Sequence, residues 1–375
     1  MRELGNPFVI GKYVDERYFC DRRKEADLLV HHIVNGRHVT IMSERRLGKT
    51  GLIEHVFANR MPKDYDTFLI DIYTCKNLRE MVYLLANEVF SKIARKQTML
   101  ERLLRFMRSL KTTISYDTIT GAPELVFGMG EIQRPEITLD EILSYLESSE
   151  KTCIIAIDEF QKIADFEEDN IEALLRTKIQ HLKNTQFIFA GSERHLLDGI
   201  FNDPARPFYN SVVFMHLLPI DKGEYIRFCQ QMFALYDKSV SETLVSRIYD
   251  CFQGITWYLQ LSMNEAFTLA ERGGHVSEDA YSQILNHLVD SKRFTFEDRF
   301  ASLTEKQKTV LQAIAAEFPK EPVLTSQEFI AKYNLKSASS VQTAVKGLIE
   351  KGILNELHGR KHPTDLLFML WLKKY

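Results

Sequence analysis

The chain has 375 residues, 45% hydrophobic and 26% charged, with a formal net charge of −3. That is enough for two or three domains with ordinary cores, and it argues against a surface built for non-specific nucleic-acid binding. Five scattered cysteines with no Cys-x-x-Cys pair exclude a disulfide framework or a zinc site, and neither an apolar leader after Met1 nor a run approaching the ~18 residues of a membrane span is present, so a cytoplasmic protein without a membrane segment is expected.

In chain order, "RHVTIMS" (37–43) is a β-branched run, and "GLIEHVFANR" (51–60) has helical spacing. "YDTFLIDIY" (65–73) reads as a second strand. Residues 78–96 form an amphipathic helix on Met81, Leu84, Leu85, Val89 and Ile93, with a further helix expected near 98–111. Gly, Pro and short β-branched runs over 112–137 then predict a hairpin-like insertion. The rhythm resumes with a helix near 138–148, the apolar strand "KTCIIAIDEF", a helix around 169–183 and a strand over 186–192. A helix near 194–201 and a strand over 211–217 complete it. Continuous apolar strands alternating with helices predict an α/β domain with a parallel sheet covered on both faces.

Strands stop after Pro219, and four helical segments follow with Gly254 between them. From about residue 301 three helices precede a Gly-containing turn between apolar runs, the pattern of a winged helix-turn-helix. The expected domains are thus 1–218, 219–300 and 301–375.

Two motifs carry chemistry. "SERRLGKT" (43–50) lies between a strand and a helix, the setting in which main-chain N–H groups and a helix N-terminus receive phosphates. Gly48 permits close backbone approach, Lys49 places an ammonium on phosphate oxygens, and the Thr50 hydroxyl suits Mg²⁺. The main-chain N–H groups of Glu44, Arg45, Arg46, Leu47 and Gly51 complete the cradle, the side chains of 44–46 being solvated. A Gly-Lys-Thr tripeptide alone is weak evidence; its strand-turn-helix context and a partner motif strengthen it. Ser43 stands where such loops usually open with glycine, and serine holds the place if its φ is negative.

The partner motif is Asp158-Glu159, two carboxylates closing a buried strand at the edge of the sheet where ligands bind in such folds. Asp158 suits Mg²⁺, and Glu159 suits orienting an attacking water. The plainer alternative is an acidic pair at a helix start. Ser192, ending the next strand, is either a polar side chain between the phosphate loop and Glu159 that helps hold the attacking water or a helix N-cap. Arg206, on a loop, is either an arginine offered to a neighbouring copy's γ-phosphate or one half of an ordinary ion pair.

Together "NPFVIGKYVDERYFCDRRKE", "SERRLGKTGLI", "IIAIDEFQKI", "FIFAGSERHLL", "RPFYNS", "GITWYLQ" and "HPTDLLFMLWL" resemble the archaeal-type P-loop ATPases, allied to AAA+ and STAND regulatory ATPases, over nearly the whole chain. The resemblance implies an AAA+-like ATP-binding core, a helical lid and a C-terminal winged helix, with ATP or ADP and Mg²⁺ as ligands. It implies Asp158 as the metal carboxylate, Glu159 as the catalytic one and Ser192 as the sensor. It also implies that Phe8 and the segment Phe19-Cys20-Asp21-Arg22 cover the adenine. Ser43 departs from the pattern, as does "GITWYLQ", which lacks a proline often found after the glycine.

In the winged helix, 337–351 is the expected recognition helix, its stripe Val341, Ala344, Val345, Leu348 and Ile349 facing inward. Ser339, Ser340, Gln342, Thr343 and Lys346 face outward, with His358, Arg360, Lys361 and His362 on the wing. That face is only mildly basic, so DNA and protein partners both stay open, as does a homo-oligomer. Three functions remain: a nucleotide-dependent regulatory switch, an initiator- or loader-type ATPase acting on DNA, and a binding module without hydrolysis.

Overall fold

The computed structural model describes residues 4–93, 109, 113–116, 123–126, 128–357 and 359–374. The helix expected near 98–111 falls almost wholly outside these residues, and so does His358. The chain divides into two compact units, Tyr13–Leu218 and the N-terminal segment to Lys12 together with Pro219–Tyr375.

The unit Tyr13–Leu218 is built on five parallel strands, β1 (Val39–Met42), β2 (Tyr65–Asp71), β5 (Thr152–Asp158), β6 (Thr185–Gly191) and β7 (Val213–His216), in the order β2-β5-β6-β1-β7. The antiparallel hairpin β3 (Thr113–Tyr116) and β4 (Pro123–Val126) lies within the expected insertion. β1 and β6 are buried along their whole length and β5 beyond its first residue, as runs such as Ile154-Ile155-Ala156-Ile157 require of central parallel strands. In this register Met42 pairs with Gly191 and Ile157 with Phe189, so the segments that follow β1, β5 and β6 emerge along one edge.

Among the described residues, six α-helices belong to this unit: α1 (Arg23–Val34), α2 (Lys49–Asn59), α3 (Leu78–Ile93), α4 (Pro135–Glu147), α5 (Ile171–Ile179) and α6 (Arg194–Asn202). α4 begins at Pro135, three residues before the expected start, because proline fits the first helical position, where no N–H is needed. Leu85, Val89, Leu139, Leu143 and Leu146 pack into one core with β2 and β5. A cluster of Phe160, Phe189, Phe201 and Phe208, with ring centroids 4.4 Å apart for Phe160 and Phe189, fills the space under the end of β5. Phe160 therefore anchors the backbone just after Glu159.

The other unit holds α7 (Lys222–Ala234), α8 (Glu242–Cys251), α9 (Thr256–Leu269), α10 (Ala280–Asp290) and α11 (Arg293–Ala301). It also contains two short parallel strands, β8 (Ser239–Val240) and β9 (His275–Val276), too short to leave a pattern in the sequence. It continues through α12 (Glu305–Glu317), α13 (Gln327–Lys332), α14 (Ala338–Glu350), the antiparallel pair β10 (Leu354–Leu357) and β11 (Arg360–Pro363), and α15 (Leu366–Lys374). Three helices and a two-stranded wing are the topology of a winged helix. Val341, Ala344, Val345 and Leu348 of α14 are buried, with Ser337 capping its N-terminus. The N-terminal segment joins this unit through Phe8, and is held there by Asn6 Nδ2 donating to the Asn264 carbonyl and Asn264 Nδ2 donating to the Phe8 carbonyl.

Candidate nucleotide-binding site

The turn from β1 into α2 is shaped by two positive φ angles, +70° at Arg46 and +89° at Gly48. Glycine suits the second, since L side chains rarely adopt that conformation. Ser43 is not among the positive-φ residues, so the loop does not need glycine there. Its hydroxyl, wholly buried, donates to the Glu44 carbonyl at 2.8 Å. The first-turn N–H groups of α2, Lys49, Thr50 and Gly51, have no intrahelical acceptors and form its positive end. The side chains of Glu44, Arg45 and Arg46 are exposed and Leu47 is buried.

Lys49 is 6% exposed, and among the described residues its ammonium makes no hydrogen bond or ion pair. Burial lowers its pKa, the carboxylates Glu159 and Asp158 work in the opposite direction, and Arg45 and Arg194 reinforce the lowering. A largely buried lysine without an ion pair among the described residues, at the positive end of a helix, is a position suited to an anion.

Thr50 Oγ1 donates to Asp158 Oδ2 at 2.5 Å, and Asp158 Oδ1 accepts the Glu159 N–H at 2.9 Å. A hydroxyl and a carboxylate thus converge beside the ammonium, a hard-oxygen donor pair that fits Mg²⁺. Glu159 has φ +55°, unusual for a residue with a side chain, and Ser192 Oγ donates to its Oε2 at 2.9 Å. Ser192 therefore bonds Glu159 and is not the N-cap of α6, where Glu193 sits.

Sequence reasoning missed two neighbours. Gln161 Nε2 donates to the same Glu159 oxygen at 2.5 Å. Arg194, the first residue of α6, has a buried Nε with no partner among the described residues and is close enough to Lys49 to affect its charge. A polar residue just past each carboxylate- or serine-bearing strand end was the available signal.

Other expected site residues are placed differently. Phe8 does not cover a base: it is wholly buried in the helical unit, with its ring 6.0, 5.6 and 6.1 Å from those of Phe228, Phe233 and Phe267. A ring enclosed on all sides has no face to offer a ligand. Asp21 and Arg22 take consecutive left-handed conformations leading into α1. The Arg22 side chain, 3% exposed, is spent on Glu25 at 2.8 Å and on the carbonyls of Leu218 at 2.5 Å and Leu47 at 3.1 Å. It ties the start of α1 to the turn between β1 and α2. Phe19 stacks on His55 at 4.4 Å and lies 3.5 Å from the position of a Cβ on Gly51, so this aromatic packs on α2 at the start of the loop helix. Arg206 forms a two-armed ion pair with Glu172, Nε to Oε2 at 3.0 Å and the other arm to Oε1. The ion-pair alternative describes its contacts.

Known structures carry the same fold. The chain is similar to the Walker-type ATPase PABY2304 of Pyrococcus abyssi, with TM-score 0.65 and 18% identity over 98% of this chain and 99% of that one. The ORC2 protein of Aeropyrum pernix follows, in ADPNP–ADP complexes, with TM-score 0.56 and 15% identity over 97% of both chains. Its ADP form gives 0.55 at 14% identity, over 98% of this chain and 97% of that one. Residues 294–374 match a family model described as a probable winged helix domain. No curated protein matches the chain. The fold is the one these ATPase and ORC2 structures share, with a probable winged helix domain at residues 294–374.

Proposed function

We propose that the chain binds Mg-ATP and hydrolyses it to ADP and phosphate, as a nucleotide-dependent regulatory switch. The observation that carries this reading is Lys49, largely buried and without an ion pair among the described residues, at the positive end of α2 beside the Thr50–Asp158 oxygen pair and Glu159. Lys49 and the first-turn N–H groups bind the polyphosphate, with Arg194 adding a second cation. Thr50 and Asp158 would hold Mg²⁺, which when bound neutralises charge on the phosphoryl oxygens. Glu159 orients and polarises the attacking water, and Ser192 fixes one of its oxygens.

The regulatory half of the reading rests on the winged helix. One wing cation, Lys361, is paired within its own unit with Glu356, and the His362 ring lies 2.6 Å from Glu321. Lys332 is likewise held by Glu317 at 2.5 Å. Arg360 on the wing and Lys346 on α14 are exposed and carry no ion pair among the described residues, so the charge pattern of this face does not choose between a duplex and a protein partner.

Glu159→Gln tests the enzymatic half. Nucleotide binding is expected to persist while single-turnover hydrolysis of Mg-ATP falls by about 10²-fold or more. Wild-type protein that binds Mg-ATP but never turns it over would leave only the binding-module reading.

A further inference from the structure

Gln161 is one of the most completely buried polar side chains of the unit, 1% exposed, on the 3₁₀ segment Phe160–Asp165 that follows Glu159. Its Nε2 donates to Glu159 Oε2, while its Oε1 is buried with no hydrogen-bond partner among the described residues. An amide flip would not help, because it would turn Oε1 onto the carboxylate. The side chain has room only because residue 191 is glycine: a Cβ there would lie 2.0 Å from Gln161 Oε1. The site thus accepts an orphaned carbonyl oxygen, a left-handed residue at Glu159 and a glycine in a buried strand, all serving one contact.

We propose that Gln161 is a positioning residue for Glu159, holding the carboxylate in the orientation that presents its second oxygen to water. The inference rests on the ATPase reading above. Ser192 and Gln161 both converge on Oε2, one from the end of β6 and one from beyond β5. Two donors from different elements fix both torsion and tilt of the carboxylate, where one would leave it free to swing. Oε1 then remains the acceptor for the nucleophile's proton. Among the described residues Gln161 hydrogen-bonds Glu159 and neither Lys49, Thr50 nor Asp158, so its effect belongs to turnover and not to affinity.

The test is Gln161→Met, which keeps length and bulk but cannot donate, with Gln161→Leu as a second variant should the first fold poorly. The expected result is a kcat lower by about 10- to 100-fold, with the KM for Mg-ATP within about threefold of wild type. The melting temperature should hold or rise, because the variant removes an unpaired buried oxygen. In a Glu159→Gln background the same substitution should change the residual rate by less than about twofold, since both act through one group. Turnover that survives in both variants overturns the proposal, and so does a loss seen only alongside a lowered melting temperature. Wild-type protein that binds Mg-ATP without hydrolysing it would defeat the ATPase reading and this inference together. A hydrolysing wild type with indifferent variants defeats this inference alone.

Discussion

Replacing Lys49 with methionine should move stability in opposite directions with and without nucleotide. Lys49 is largely buried without an ion pair among the described residues, so its charge is partly desolvated, at a cost of about 1–3 kcal/mol before nearby charges offset it. The offset comes from Glu159 and Asp158, and neither becomes an orphan when Lys49 goes. Asp158 keeps the Thr50 hydroxyl and the Glu159 N–H, and Glu159 keeps Ser192 and Gln161. The apo variant is therefore expected to be as stable as wild type or more stable by about 1 kcal/mol, a rise of roughly 2–4 °C per kcal/mol for a domain of this class. With Mg-ATP at about 100 times its Kd, wild type should gain about 2.7 kcal/mol by mass action, and the variant none. Differential scanning fluorimetry with and without Mg-ATP, checked by urea unfolding, reads both arms. An apo variant clearly less stable than wild type would show that the ammonium is a structural group, and an undiminished response to Mg-ATP would remove it from the phosphate site.

Two further outcomes separate structural roles from the site. Phe8→Ala should cost about 3–5 kcal/mol in the unit that contains it, by opening a cavity among Phe228, Phe233 and Phe267, while nucleotide affinity measured by titration stays within about twofold. For His38, burial lowers the pKa to about 4, with Arg176 pushing the same way, and Nδ1 accepts the Phe187 N–H at 3.1 Å. Since the unfolded imidazole binds its proton first, near its ordinary value of 6.5, stability is complete above that pH and is lost as pH falls toward 4. The loss between pH 7 and 4.5 should reach about 2.5 kcal/mol in urea unfolding, and His38→Asn should flatten that part of the curve.

Much of this protein can be read without coordinates. Strand–turn–helix spacing around Gly48-Lys49-Thr50, the apolar run ending at Asp158-Glu159 and the stripe of Val341, Ala344, Val345 and Leu348 are local patterns. Local patterns set secondary structure because burial repeats with the period of the element. A parallel sheet then brings the ends of such strands to one edge, which is why the loop, the carboxylates and Ser192 meet. What the tertiary structure alone decided is where long side chains spend their polar groups and rings. Arg22, read as part of an adenine cover, reaches Leu47 from 25 residues away. Arg206, on a loop, is matched to Glu172 on α5, and Phe8 joins the other unit to complete an aromatic core formed by residues more than two hundred positions later. Even the bond from Gln161 to Glu159, only two residues apart, depends on a positive φ at Glu159 and on Gly191 across the sheet. Periodicity records which face is buried; the identity of the neighbour there depends on chain segments that folding alone brings together.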